Sequence, residues 1–176
     1  MKTLQALLAL FAFAFVPLHA ASLADLTYTT TGGEVTITAC DQAASGELGI
    51  PDSIGGNPVT NIKSDAFRDC TSLTSILIPD SVTTINSRTF SGCGALTSIT
   101  IPDGVTGIGS GAFLRCTSLT RITIPDSVSF IGRTAFSYCT SLTGVTIPDS
   151  VSFLGGGSFT DCSSLKSITI PDSVTL

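Results

Sequence analysis

The sequence predicts a repeat solenoid, mostly β, in which short parallel strands stack at about one coil per 23 residues. Three observations carry that expectation. Phe67, Phe90, Phe113, Phe136 and Phe159 are each 23 residues apart, and Cys70, Cys93, Cys116, Cys139 and Cys162 keep the same step. Leu73, Leu96, Leu119, Leu142 and Leu165 follow it as well, as do Pro79, Pro102, Pro125, Pro148 and Pro171. A single unit is too small to enclose its own apolar face, so stacked units must bury a shared core.

Within the copy that starts at Leu96, Leu96, Ile99 and Ile101 point one way and Ser98 and Thr100 the other. Alternation with period two among β-branched residues predicts a short strand. Pro102-Asp103 ends it, because proline cannot donate to a ladder and Pro-Asp favours a turn. Gly107 and Gly109 permit sharp bends. Ala112-Phe113 to Cys116 is expected to form a short helical turn with Ser110 as its N-cap. Pro51 lies 28 residues before Pro79, and the extra five residues fall in Ile54-Gly55-Gly56-Asn57-Pro58. Val59 and Ile62 then resume the places of Val82 and Ile85.

Three segments are expected. Met1-Lys2 is a basic start, Leu4 to Val16 is apolar apart from Gln5, and Ala20 precedes Ala21-Ser22. That order is a secretory signal peptide over residues 1–20, cut after Ala20 with Ala21 as the alternative. Its apolar run falls short of the roughly 20 residues that span a bilayer, so no transmembrane anchor is expected. Residues 21–45 are expected to form an N-terminal cap, with a hairpin over Tyr28 to Ile37 turning at Gly32-Gly33. Residues 46–176 are the solenoid, about five repeats, opening on a degenerate strand at Leu48-Gly49-Ile50-Pro51. No C-terminal cap is evident. A solenoid ending on an open coil implies a longer array, end-to-end self-association or a frayed last coil.

The units resemble those of the BspA-like leucine-rich repeats found on bacterial and some protist surface proteins. The shared pattern is Leu-x-x-Ile-x-Ile-Pro-x-x-Val-x-x-Ile-Gly-x-x-Ala-Phe-x-x-Cys, and it covers roughly residues 46–176. The resemblance implies a right-handed leucine-rich-repeat arc, with short strands on its concave side and short helical turns on its convex side. It implies a secreted or surface location and often an adhesive role, with no catalytic residues.

Composition narrows the function further. At 43% apolar residues, 12% charged and a net charge of −5, the chain is neither disordered nor suited to nucleic acid. Removing residues 1–20 removes His19, the sole histidine, so the mature chain has no Ser-His or Cys-His pair and no imidazole for zinc. No enzyme activity, cofactor or metal is therefore expected.

Five of the six cysteines share one repeat position. Coils about 4.8 Å apart exceed the usual Cβ separation of a disulfide, about 3.8 Å, which predicts a buried thiol ladder. Cys40 stands outside it and should be the most exposed. Asp52, Asp80, Asp103, Asp126, Asp149 and Asp172 form a second ladder, readable as Asx turns after each proline or as calcium ligands. Mutual repulsion of about 0.8 kcal/mol per neighbour in water requires no cation. Ser163-x-x-Lys166 has the spacing of a serine–lysine nucleophile pair, but Lys166 replaces the Thr of other copies. The glycine clusters at 107–111 and 155–157 fall at the repeat's bend and lack the Gly-Lys-Ser/Thr of a phosphate loop.

The candidate binding face is the outward side of the strands. It comprises Thr74, Ser75 and Leu77, then Thr97, Ser98 and Thr100, then Thr120, Arg121 and Thr123. Thr143, Gly144 and Thr146 follow, then Lys166, Ser167 and Thr169. A regular hydroxyl array suits ice or a glycan, yet Arg121 and Gly144 interrupt it. The face has no Tyr or Trp anchor and spans about 400 Å², half the roughly 800 Å² of a standard interface. The expected function is a non-catalytic, secreted or cell-surface binding module that adheres to a protein or extracellular-matrix ligand. A structural spacer within a surface layer is the alternative. Protein recovered from the secreted or surface fraction should begin at Ala21 by N-terminal sequencing. An intact Met1 there would remove the export expectation.

Overall fold

The structure is a computed structural model and describes residues 19–175. All but the last two residues of the expected signal peptide lie outside the described residues. Those last two form β1, His19–Ala20, which runs parallel to β4, Ala44–Gly49. A cut after Ala20 would remove this pairing and leave Ala21 N–H bonded to Ser45 O at 2.9 Å.

The cap contains the expected hairpin. β2, Leu26–Thr31, lies antiparallel to β3, Glu34–Cys40, and the two are joined by Gly32-Gly33. Both glycines have positive φ, 63° and 82°, as a tight two-residue hairpin turn requires. The extra residues at 54–58 turn out to be a second hairpin of the same design. β5, Ser53–Ile54, and β6, Asn57–Ile62, meet around Gly55-Gly56, with φ of 60° and 82°. β6 runs parallel to β3, Ile62 beside Ile37, and so attaches the cap to the first coil.

Beyond the cap each coil contributes two strands to two parallel stacks. One stack holds β7, Leu73–Leu77; β9, Ser98–Thr100; β11, Arg121–Thr123; and β13, Gly144–Thr146. β4, β7 and β9 pair in parallel, as do β11 and β13. A Thr120 N–H to Thr97 O bond of 3.4 Å links the two groups. The other stack holds β8, Thr84–Ile85; β10, Gly107–Ile108; β12, Phe130–Ile131; and β14, Phe153–Leu154. The turn between the strands is closed by the Val N–H on the Pro carbonyl, as from Val105 to Pro102 at 3.0 Å.

The third side corrects the expected helical turn. The 3-10 turn at Leu23–Asp25 in the cap is the sole helix among the described residues. In the repeats, two residues flanking each Phe take positive φ, such as Asp65 and Asp69, or Gly111 and Arg115. Left-handed residues cannot continue a helix. They aim alternate N–H groups at the next coil instead: Phe67 N–H reaches Thr89 O at 2.9 Å and Asp69 N–H reaches Ser91 O at 2.8 Å. Ser110 therefore caps no helix, and its carbonyl accepts from Arg88 N–H at 3.0 Å.

The core is a set of columns. Successive Phe rings from Phe67 to Phe159 lie 5.4, 5.4, 5.3 and 5.2 Å apart, and Phe67, Phe90, Phe113 and Phe136 are fully buried. The thiol ladder is buried as well, with Cys40 the most exposed of the six. Each ladder thiol from Cys93 to Cys162 donates to the Phe carbonyl of the coil before, at 3.1 to 3.2 Å. In the last described coil the packing opens, and Ile170 is 45% exposed where Ile147, one coil earlier, is 5%.

Two predictions arise from this packing. A Cβ on Gly109 would sit 2.5 Å from the Ser87 nitrogen, whereas one on Gly144 would meet nothing within 4 Å. Gly109→Ala should cost about 1–3 kcal/mol by denaturant titration, and Gly144→Ala almost nothing. Burial also pushes the Cys93 and Cys139 thiols up to about 12 from an ordinary value near 9.0. Below pH 9 the thiols stay protonated in folded and unfolded chains alike. Above it the unfolded thiols ionise first, unfolding releases protons, and stability falls as pH rises. The denaturation midpoint should hold flat up to about pH 9 and then drop steadily towards pH 12.

Candidate functional site

Strand pairing sets the outward residues in columns. Ser75 lies beside Ser98 and Leu77 beside Thr100, while Arg121 lies beside Gly144 and Thr123 beside Thr146. Inward Ile76, Ile99 and Ile122 anchor the strands in the core, which is what turns their neighbours outward. Thr74 and Ser75 are half-buried, and the remaining candidates from Leu77 to Thr169 are exposed. Lys166, Ser167 and Thr169 continue the same repeat positions, but their segment forms no strand among the described residues.

The hydroxyls divide into two populations. Those of Thr97, Thr120 and Thr143 donate to the carbonyls of Thr74, Thr97 and Thr120, at 3.1, 3.4 and 3.1 Å. Their protons are thus committed to the stack. The hydroxyls of Thr100, Thr123, Thr146 and Thr169 make no hydrogen bond among the described residues and face solvent.

Over β11, β13 and the following coil the face is notched by an open groove of about 590 Å³. It arises because Gly144 has no side chain between Arg121 on one coil and Ser167 on the next. The structure gathers Arg121, Thr123, Thr143, Thr146, Ser167 and Thr169 around it, together with Asp149 and the edge of Pro171. Thr74, Ser75, Leu77, Thr97, Ser98, Thr100, Thr120 and Lys166 share the face but lie outside the groove. One guanidinium, one carboxylate and a row of free hydroxyls equip the groove for hydrogen bonding and ion pairing with a polar ligand.

Other candidate features resolve differently. Asp80, Asp103, Asp126, Asp149 and Asp172 are exposed, and among the described residues their carboxylates close no Asx turn. The backbone bond from Val to Pro already closes each turn. The following serine does the stitching, as in Ser127 Oγ to Val105 O at 2.6 Å and Ser150 Oγ to Val128 O at 2.7 Å. Ser163 Oγ donates to Thr140 O at 3.4 Å, so it serves the stack as Thr140 and Thr117 do.

Sequence reasoning missed an aromatic pair on the second stack. Phe130 and Phe153 are 41% and 44% exposed and stack at 5.1 Å with planes 11° apart. They occupy the position of Thr84 and Gly107 in earlier coils. A column-by-column comparison of the copies would have found them. On the side of the coil that carries the buried Phe column, the Arg115 guanidinium lies 5.7 Å from the exposed Tyr138 ring.

Comparison with known proteins places the molecule among repeat proteins. The family model described as the BspA type leucine-rich repeat region matches residues 60–176 in six copies. A leucine-rich repeat protein of T. pallidum is 35% identical, with a TM-score of 0.79 over 87% of this chain and 72% of that one. A leucine-rich cell surface protein of Faecalibacterium prausnitzii is 36% identical, with a TM-score of 0.73 over 89% of this chain and 44% of that one. A leucine-rich repeat protein of Bacteroides ovatus is 32% identical, with a TM-score of 0.65 over 89% of this chain and 49% of that one. This chain thus spans less than half the length of the latter two. No curated protein matches it.

Proposed function

Because the chain belongs to the BspA-type leucine-rich repeat family, we propose that it is a non-catalytic, secreted or cell-surface binding module that attaches to a protein or matrix ligand. The observation that carries this is the groove at Arg121 and Gly144 on the strand face. In a repeat built for regularity alone, that position would keep the serine of Ser75, Ser98 and Ser167. That the F. prausnitzii relative is described as a cell surface protein supports the location. So does the signal-like start of the sequence, with its cut after Ala20. No helix of the described residues is long and apolar enough to cross a membrane. The right-handed sense of the arc and the concave placement of the strands come from the family.

A face of this size binds weakly by itself, so firm attachment would draw on many copies through effective concentration. A second role, as a spacer, is favoured by the Thr97, Thr120 and Thr143 hydroxyls, whose protons serve the stack. Charge reversal separates the two roles. Arg121→Glu should weaken adhesion to immobilised matrix proteins about tenfold, and Lys166→Glu, which lies outside the groove, should weaken it less. Unchanged adhesion by a folded Arg121→Glu protein would assign the face to spacing.

A further inference from the structure

Cys70 differs from the rest of its column. Cys93, Cys116, Cys139 and Cys162 each donate to the Phe carbonyl of the preceding coil. Among the described residues Cys70 makes no such bond. The coil before it belongs to the cap, where the place of the Phe is taken by Cys40. The backbone shows this directly. Phe67 N–H bonds Thr89 O and Phe90 N–H bonds Ala112 O, and Cys40 N–H bonds Ala66 O at 2.7 Å, the corresponding carbonyl one coil down. The Cys70 thiol, packed where its column-mates meet the preceding Phe, therefore lies beside Cys40, and Cys70 is the neighbour that most perturbs the Cys40 thiol, whose own hydrogen bond goes to Asp41 O at 3.6 Å.

We propose that Cys40 and Cys70 are a disulfide site that locks the N-terminal cap onto the first full coil. Half-buried Cys40 is the entry point, since Cys70 is fully buried. The oxidant is a small disulfide such as oxidised glutathione. The Cys40 thiolate attacks one of its sulfurs, forming a mixed disulfide and releasing one glutathione thiol. The Cys70 thiolate then attacks the Cys40 sulfur, forms the Cys40–Cys70 bond and releases the second glutathione. Two protein thiols are oxidised and one glutathione disulfide is reduced to two thiols. The remaining ladder thiols stay reduced, because parallel side chains one coil apart do not reach disulfide geometry.

The neighbouring Cys70 and burial hold the Cys40 thiol far above its usual range, so packed Cys40 forms little thiolate at neutral pH. The bond should form fastest while the cap is still docking, as in refolding or export. The test is refolding of the full chain in a mixture of oxidised and reduced glutathione, followed by peptide mapping and thiol counting under denaturing conditions. The expected product has lost two hydrogens, joins the Cys40 and Cys70 peptides and keeps four of the six cysteines of the chain as free thiols. It should melt about 10 °C higher than the same protein after reduction, because the bond closes a long loop of the unfolded chain. Cys40→Ser should fold, keep all its thiols free and show no difference between the two treatments. Six free thiols, a bond between other cysteines, a glutathione left on Cys40, or equal melting of both forms would each overturn the proposal.

Discussion

Each coil can bury its apolar residues only against its neighbours, so the step from coil to coil has to satisfy several requirements together. The Phe rings settle at 5.2 to 5.4 Å, close enough to stack and exclude water. The same step lets backbone amides bond from coil to coil on all three sides. It also decides which side chains fit. Where the backbone of one coil presses on the next, at Gly109, Gly132 and Gly155, a Cβ has no room. In the repeats, thiols and hydroxyls that enter the interior are short enough to reach a backbone carbonyl, as Cys116 reaches Phe90 O and Ser158 reaches Gly132 O. Each of these elements is weak alone, and repetition makes them a core.

Periodicity made the strands, the stacked core and the first hairpin legible from the chain. Leu96, Ile99 and Ile101 face inward because alternation is a local property, decided by the residues themselves. The turn around Phe113 was misread because Ala-Phe-Leu-Arg has ordinary helical propensity. Its conformation is decided by Gly111 and Arg115, which go left-handed so that their neighbours can bond to another coil. That is a tertiary requirement, and Arg115 carries no local mark of it. The second hairpin was hidden for another reason: a pair of glycines between two-residue and six-residue strands looks like an insertion until its partner strand is known.

The candidate site has the opposite origin from the core. The core consists of what the copies share, and the working surface consists of what they do not. Arg121, Gly144 and the Phe130–Phe153 pair depart from the residues at the same places in earlier coils, and each departure falls on an outward position where the stack leaves the choice of side chain open. Shape and charge on this molecule are therefore written in the exceptions, and Gly144 contributes by lacking a side chain.

The side-chain bonds between coils also share a direction. Apart from Ser137, which donates forward to Thr160 O, the hydroxyls and thiols that bridge repeats donate from a later coil to the one before, as Thr106 does to Thr83, Ser150 to Val128 and Cys116 to Phe90. A donor in one repeat and its acceptor in the adjacent one are thus separated by about one unit of chain, 22 to 26 residues. Gain or loss of one whole unit during gene duplication would hand each donor a new but equivalent acceptor, with no bond left open. Gain or loss of a single codon would misalign every column that crosses it. Such an array can change length freely across evolution, provided that it changes in whole coils.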